Sequence, residues 1–310
     1  MTGGSPAAVL LRDLHKTFDG VGALRGVDLE VRPGEMFGLI GPDGGGKTTA
    51  LRVLSGLCRP DRGEVLLLGR NPFRERRETQ RLLGYMPQRF SLYPDLSVSE
   101  NLRFFAGLFA VPRRETEKRE GELLAFARLE RFRGRKARDL SGGMKQKLAL
   151  ACTLIHEPRV LVLDEPTTGV DPVSRGEFWE ILRRLIGGGS SILVTTPYMD
   201  EAERCDRIAL LHRGLVLETG APAEVAARFP HRLFEVRGAP VYPASRALRE
   251  TGEFLEVTPF GDSFRVTARE EDGGERIAAA LDRLGFRGAR VAPARPDVED
   301  LFLARTEGGA

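Results

Sequence analysis

The chain has 310 residues, 41% hydrophobic and 29% charged, which suits about two globular domains and excludes a wholly disordered chain. A formal net charge of +3 gives no basic excess for nucleic acid and no acidic tail. Three scattered Cys (58, 152 and 205) fit neither a disulfide framework nor a zinc site and suit a reducing compartment, the first residues do not read as a signal peptide, and no stretch approaches 18 uncharged apolar residues, so no direct membrane insertion is expected.

Residues 9–40 read as strands and turns: Val27 to Val31 alternates, Arg32-Pro33-Gly34-Glu35 is a turn, and Met36 to Ile40 is a short apolar run. A Gly-rich segment precedes a helix from Thr49 to Leu57, and 63–68 form another strand. Ser97 to Phe132 is predicted helical throughout, opened by a capping box of Ser97 and Glu100, its charged run Arg113 to Glu122 being a solvated face. Ser141 to Ile155 is a helix, Val160 to Leu163 a strand buried on both faces, Val173 to Ile186 a helix stopped by three glycines, and Ser191 to Thr195 a strand. Strands alternating with helices predict an α/β sheet. The texture changes around 222–230. Strands at 233–236, 254–258, 264–267 and 289–291 and helices at 244–250 and 275–284 give a βαββαβ order, the ferredoxin-like unit, followed by a short helix from Val298 to Ala304. The expected division is 1–226 and 227–310.

Gly41-Pro42-Asp43-Gly44-Gly45-Gly46-Lys47-Thr48 matches G-x-x-x-x-G-K-[ST] between a predicted strand and a predicted helix, the context of a P-loop. Its glycines let backbone N–H groups wrap a phosphate, and the helix N-terminus adds partial positive charge. Lys47 reaches the β- and γ-phosphates, the Thr48 hydroxyl suits Mg²⁺, and Thr49 lies next in the nucleotide-binding stretch. Val160-Leu161-Val162-Leu163-Asp164-Glu165 delivers two carboxylates at the C-terminal end of an apolar strand, where open α/β sheets bind ligands. Asp164 is the candidate Mg²⁺ ligand and Glu165 the candidate general base. Both motifs in this order point to a nucleotide hydrolase using Mg²⁺.

Leu140-Ser141-Gly142-Gly143-Met144-Lys145-Gln146-Lys147, a hydroxyl and two glycines opening a helix, strongly resembles the signature of ABC-transporter ATP-binding subunits. Pro87-Gln88 looks like that family's Q-loop, with Gln88 contacting Mg²⁺ and water. Gly169-Val170-Asp171-Pro172 looks like its D-loop, with Asp171 at a dimer seam, and Phe18 falls where the family stacks an aromatic ring on adenine. The resemblance covers residues 8–230. It implies a P-loop nucleoside triphosphatase core with an antiparallel β subdomain and a helical subdomain, beside the small α+β ferredoxin-like C-terminal domain. It also implies head-to-tail pairing with a second nucleotide-binding domain, homodimeric or heterodimeric, ATP lying between one domain's Walker motifs and the other's signature. Tyr85-Met86-Pro87-Gln88, Leu96-Ser97-Val98-Ser99-Glu100-Asn101-Leu102 and Arg295-Pro296-Asp297-Val298-Glu299-Asp300-Leu301-Phe302-Leu303 resemble the type-2 exporter branch. The function implied is ATP hydrolysis driving export through a separate transmembrane permease, at the inner face of the cell membrane, with Arg89, Phe90, Leu92 and Tyr93 as candidate permease contacts. The rivals are a soluble ABC ATPase acting on ribosomes or DNA, which the single nucleotide domain and balanced charge disfavour, and a weakly hydrolysing regulatory module.

Two positions depart from the family pattern. Pro197 stands where a γ-phosphate-binding His is usual; proline donates from neither side chain nor backbone, and it is expected at position N1 of a helix capped by Thr196. Asp43 stands where Asn is commoner, and a carboxylate there would weaken triphosphate binding unless it points away.

Overall fold

The computed structural model describes residues 6–89, 92–269 and 272–307. It divides into two compact units, Met1–Pro222 and Ala223–Ala310. In the first, β1 (Val9–Phe18), β2 (Val21–Val31) and, farther along, β4 (Arg62–Leu67) form an antiparallel sheet in the order β2-β1-β4. A second sheet runs β5 (Leu83–Met86), β6 (Val160–Asp164), β7 (Ser191–Thr196), β3 (Met36–Ile40), β8 (Arg207–His212) and β9 (Leu215–Gly220). Its first five strands are parallel and β9 returns antiparallel. Every residue of β3, β6 and β7 is buried, as continuous apolar runs covered on both faces require. Helix α1 (Lys47–Leu54) puts Ala50, Leu51, Val53 and Leu54 into one core with Leu11, Leu14, Leu24, Phe37 and Val162. That shared core fixes the loop between β3 and α1 against both sheets.

Helix α2 (Arg76–Leu82) precedes β5. The helical stretch expected from Ser97 to Phe132 is two helices, α3 (Val98–Leu108) and α4 (Arg113–Ala127), with a 3₁₀ turn at Glu130–Phe132. The break has a cause: Ala110 turns left-handed at φ 53°, and Pro112 cannot donate to a preceding turn, so it can only begin the next helix. The Ser97–Glu100 capping box is present at 3.2 and 2.7 Å. Helix α5 (Gly142–Leu154) shares a core with α3 and α4 through Leu102, Leu124, Leu148 and Cys152, and α6 (Pro172–Gly187) follows β6. Strands β8 and β9 were not foreseen in the sequence.

Helix α7 (Pro222–Ala226) starts at the last residue of the first unit, and the second unit continues with β10 (Arg232–Arg237), α8 (Val241–Glu250), β11 (Glu256–Phe260), β12 (Ser263–Ala268), α9 (Gly273–Arg283), β13 (Arg290–Pro293) and α10 (Val298–Glu307). Its sheet order is β11-β12-β10-β13, antiparallel throughout, with Leu248, Phe264, Val266, Ile277 and Leu281 in the core. This is the expected ferredoxin-like arrangement. Among the described residues no helix is long and apolar enough to cross a membrane.

Candidate functional site

The loop 41–46 leaves β3 and turns into α1 under close constraint. A Cβ on Gly41 would lie 2.0 Å from the Leu211 carbonyl oxygen of β8, and Gly46 holds φ 109° with the Ala23 carbonyl where a Cβ would go. Only glycine fits either place. Helix α1 has no side-chain cap and no acidic residue in its first turn, so its leading N–H groups remain available to an anion. The adjoining cleft, about 240 Å³, is lined by the loop and by Ala23, Thr48, Thr49, Gln88 and Glu165.

The Lys47 side chain is 3% exposed and extends back along the loop. Its Nζ donates to the Gly41 and Pro42 carbonyls at 2.7 and 3.0 Å and lies 3.1 Å from Glu165 Oε1. Gln88 Nε2 donates to Glu165 Oε2 at 2.8 Å. Glu165 therefore sits between an ammonium from the start of α1 and an amide from the loop after β5. Its backbone is left-handed at φ 48°, an uncommon state for a residue with a side chain. Its N–H donates to the Thr195 carbonyl and hydroxyl at 3.2 and 3.0 Å, which holds that state.

Thr48 and Thr195 donate to Asp164 Oδ1 at 3.1 and 2.9 Å, while the buried Oδ2 has no hydrogen-bond partner. Burial pushes the Asp164 carboxyl above its ordinary value, the two threonine hydrogen bonds opposing that rise. A buried acceptor left open beside a threonine hydroxyl suits a hard cation. Among the described residues no group of three His, Cys, Asp or Glu could hold a metal alone, so a cation here draws most ligands from phosphate and water, as Mg²⁺ does. The residues present fit Mg²⁺.

The other expected residues lie elsewhere in the first unit. Ser141 caps α5 by accepting from the Met144 N–H at 3.3 Å. A Cβ on Gly143 would lie 2.5 Å from Ser174 of α6, so this glycine serves helix packing, whereas a Cβ on Gly142 would meet only the Gly169 carbonyl oxygen, at 3.9 Å. Among the described residues no hydrogen bond or ion pair joins Ser141, Gly142 or Gly143 to Lys47, Asp164 or Glu165. Asp171 caps α6, and the Ser174 N–H that it accepts holds its carboxyl below the ordinary value. Phe18 is 47% exposed at the end of β1, with the Lys16 ammonium 5.3 Å from its ring centre. Asp43 is exposed, its carboxylate 3.8 Å from Lys47 Nζ. Arg89 and Leu92 line a separate cleft of about 420 Å³ with Gln88, Gly142 and Lys145, and Tyr93 is half-exposed; Phe90 lies outside the described residues.

Pro197 is not at N1 of a helix. The helix after it is 3₁₀, Met199–Arg204, so Pro197 is in the lead-in, where the Thr196 hydroxyl accepts from the Tyr198 N–H at 3.0 Å. The Thr196 carbonyl accepts from the Gly41 N–H at 3.3 Å, which places Pro197 one residue past a contact with the phosphate loop. The sequence reading missed Thr195, Thr167, Arg175 and Glu201. Paired hydroxyls at the C-terminal end of a buried strand were the available signal for Thr195; the others meet only through tertiary folding.

An uncapped helix end behind a glycine loop, with a lysine and two carboxylates gathered at the C-terminal edge of a parallel sheet, defines a P-loop nucleotide-binding protein. The family model for ABC transporters matches residues 24–168. A Nod factor export ATP-binding protein I of Burkholderia thailandensis is 38% identical over 97% of this chain and 98% of its own. A probable multidrug ABC transporter ATP-binding protein, YbhF, of Escherichia coli K12 is 45% identical over 96% of this chain, which spans 52% of that relative's length. The dimeric ATP-binding cassette MJ0796, solved with ADP and Pi, aligns with a TM-score of 0.62 and 29% identity over 69% of this chain and 98% of its own. The chain belongs to the ATP-binding proteins of ABC transporters.

Proposed function

We propose that the chain binds and hydrolyses MgATP and that this drives export through a separate membrane permease. The observation that carries the reading is the Lys47–Glu165–Gln88 cluster beside Thr48, Asp164 and Thr195, at the mouth of a helix with free N–H groups. Backbone N–H groups of 44–49 cradle the phosphates. Lys47 exchanges its carbonyl partners for phosphate oxygens, and Phe18 supplies a face for adenine. Thr48, Gln88 and Asp164 would hold Mg²⁺, which supplies charge neutralisation to the β- and γ-phosphates. Glu165, oriented by Gln88, accepts the proton of the attacking water.

Ser141, Gly142 and Gly143 of a second nucleotide domain close the site from the other side, with Asp171 at the seam. The Walker and signature residues of one chain do not meet, which supports pairing, and the related MJ0796 cassette is dimeric. The simplest partner is a second copy. The cleft between Gln88 and Gly142 receives the permease, so that one docked segment touches the Gln88 loop and the signature helix together. Export follows the names of the relatives, and residues 227–310 form an accessory domain that regulates or stabilises pairing. The chain would then sit at the inner face of the membrane, held by its permease.

The test is to isolate tagged chain from detergent-solubilised membranes and assay MgATP binding. Wild type should recover a protein with several membrane spans and bind ATP, and Lys47→Ala should lose the binding alone. Recovery of ribosomes or DNA instead of a spanning protein would replace the transporter reading with its rival.

A further inference from the structure

Glu201 is a charged group, 3% exposed, that the mechanism above does not use. It lies in the 3₁₀ helix after Pro197, and three segments converge on its carboxylate. Thr167 Oγ1 donates to it at 2.9 and 3.1 Å, Thr196 Oγ1 at 2.6 Å, and the Arg175 guanidinium at 3.0 and 2.9 Å. Arg175 also lies over the Tyr198 ring, 4.4 Å from its centre. Each donor adjoins a part of the site. Thr196 follows Thr195, whose hydroxyl bonds both Asp164 Oδ1 and the Glu165 N–H. Thr167 is two residues beyond Glu165, on the turn that carries its left-handed backbone. Arg175 is one turn into α6 from its cap, Asp171.

A buried carboxylate is costly unless fully paired, and apolar residues can serve packing as well or better, so its placement points to geometry rather than stability. We propose that Glu201 is a positioning residue for hydrolysis. Its carboxylate ties the end of β7 and the turn after Glu165 to α6, fixing Glu165 and Thr195 toward the γ-phosphate where Pro197 offers no donor. Through Arg175 the same clamp joins the base to the Asp171 end of α6. This inference rests on Glu165 being the base.

The test is steady-state ATP hydrolysis by the purified full chain, with ATP affinity and thermal midpoint measured on each variant. Thr167→Val removes the hydroxyl with little change of shape and should lower kcat about tenfold, the scale of one hydrogen bond to a charged group, with KM and ATP affinity unchanged. Thr167→Ser should restore kcat. Arg175→Lys, which keeps the charge and loses the planar fork, should lower kcat in the same way. Wild-type kcat in Thr167→Val and Arg175→Lys, with only the thermal midpoint lowered, would show a merely structural cluster and overturn the proposal. So would a serine variant as slow as the valine one. Glu165→Gln is the control: turnover surviving in it, or absent from wild type, would instead overturn the hydrolytic reading.

Discussion

Lys47, Asp164 and Glu165 in the first unit and Arg265, Asp297 and Asp300 in the second are each one cation beside two carboxylates. In the second unit the three groups are spent on one another. Arg265 bonds Asp297 and Asp300 at 2.5 and 2.7 Å. Asp297 accepts from the N–H groups of Glu299 and Asp300, and Asp300 from that of Asp297, so the pair also starts α10. In the first unit Lys47 rests on main-chain carbonyls, Asp164 Oδ2 has no partner, and the adjacent helix has no cap. The same residue types make a fastener where the cation is spent on both carboxylates, and a binding site where a buried carboxylate oxygen and the N–H groups of a helix end are left over.

The sharpest way to break that contrast is at Glu165. Glu165→Gln should cost about 10²- to 10⁴-fold in turnover, the usual worth of a positioned base, while ATP binding persists. Wild-type turnover in that variant would remove the base assignment. Pro197→His tests what the site lacks. A restored donor to the γ-phosphate is worth roughly 1.5–3 kcal/mol, so steady-state hydrolysis should rise by about one to two orders of magnitude. No rise, over a wild type that is already fast, would mean the lead-in at Pro197 has compensated. Arg265→Ala tests the fastener. Leaving two half-buried carboxylates unpaired should destabilise the C-terminal unit by about 2–3 kcal/mol in denaturant unfolding. Turnover should stay at the wild-type level, and a loss of turnover without unfolding would place this cluster in the catalytic cycle.

The phosphate loop, the paired acids and the signature were legible because their chemistry needs particular residues at short spacings along one strand-to-loop-to-helix segment. Phe18 and Gln88 were legible only through family resemblance. Thr195 and the Glu201 cluster were not, because their partners are 30 or more residues apart in the cases of Asp164 and Thr167 and become neighbours only when β6 and β7 pair. The long helix expected to Phe132 failed at Pro112, where amphipathic texture outweighed a residue that cannot continue a helix. The signature glycines looked equivalent in sequence, yet Gly143 is needed by Ser174 and only Gly142 has room for a Cβ, at ordinary contact distance from the Gly169 carbonyl.

That room at Gly142 gives the most direct measurement of the split site. Gly142→Asp adds a side chain where the isolated chain has room but a phosphate from a second copy would meet a carboxylate. Lys47→Ala disables the other half. Each variant alone should be inactive, while a mixed dimer keeps one intact site, formed by Lys47 of one copy and Gly142 of the other. Steady-state hydrolysis of an equal mixture should recover to about a quarter of wild type if sites act independently and copies pair at random, each ATP being held between two copies. A mixture of folded variants that stays as inactive as either alone would contradict a site shared between two copies of this chain.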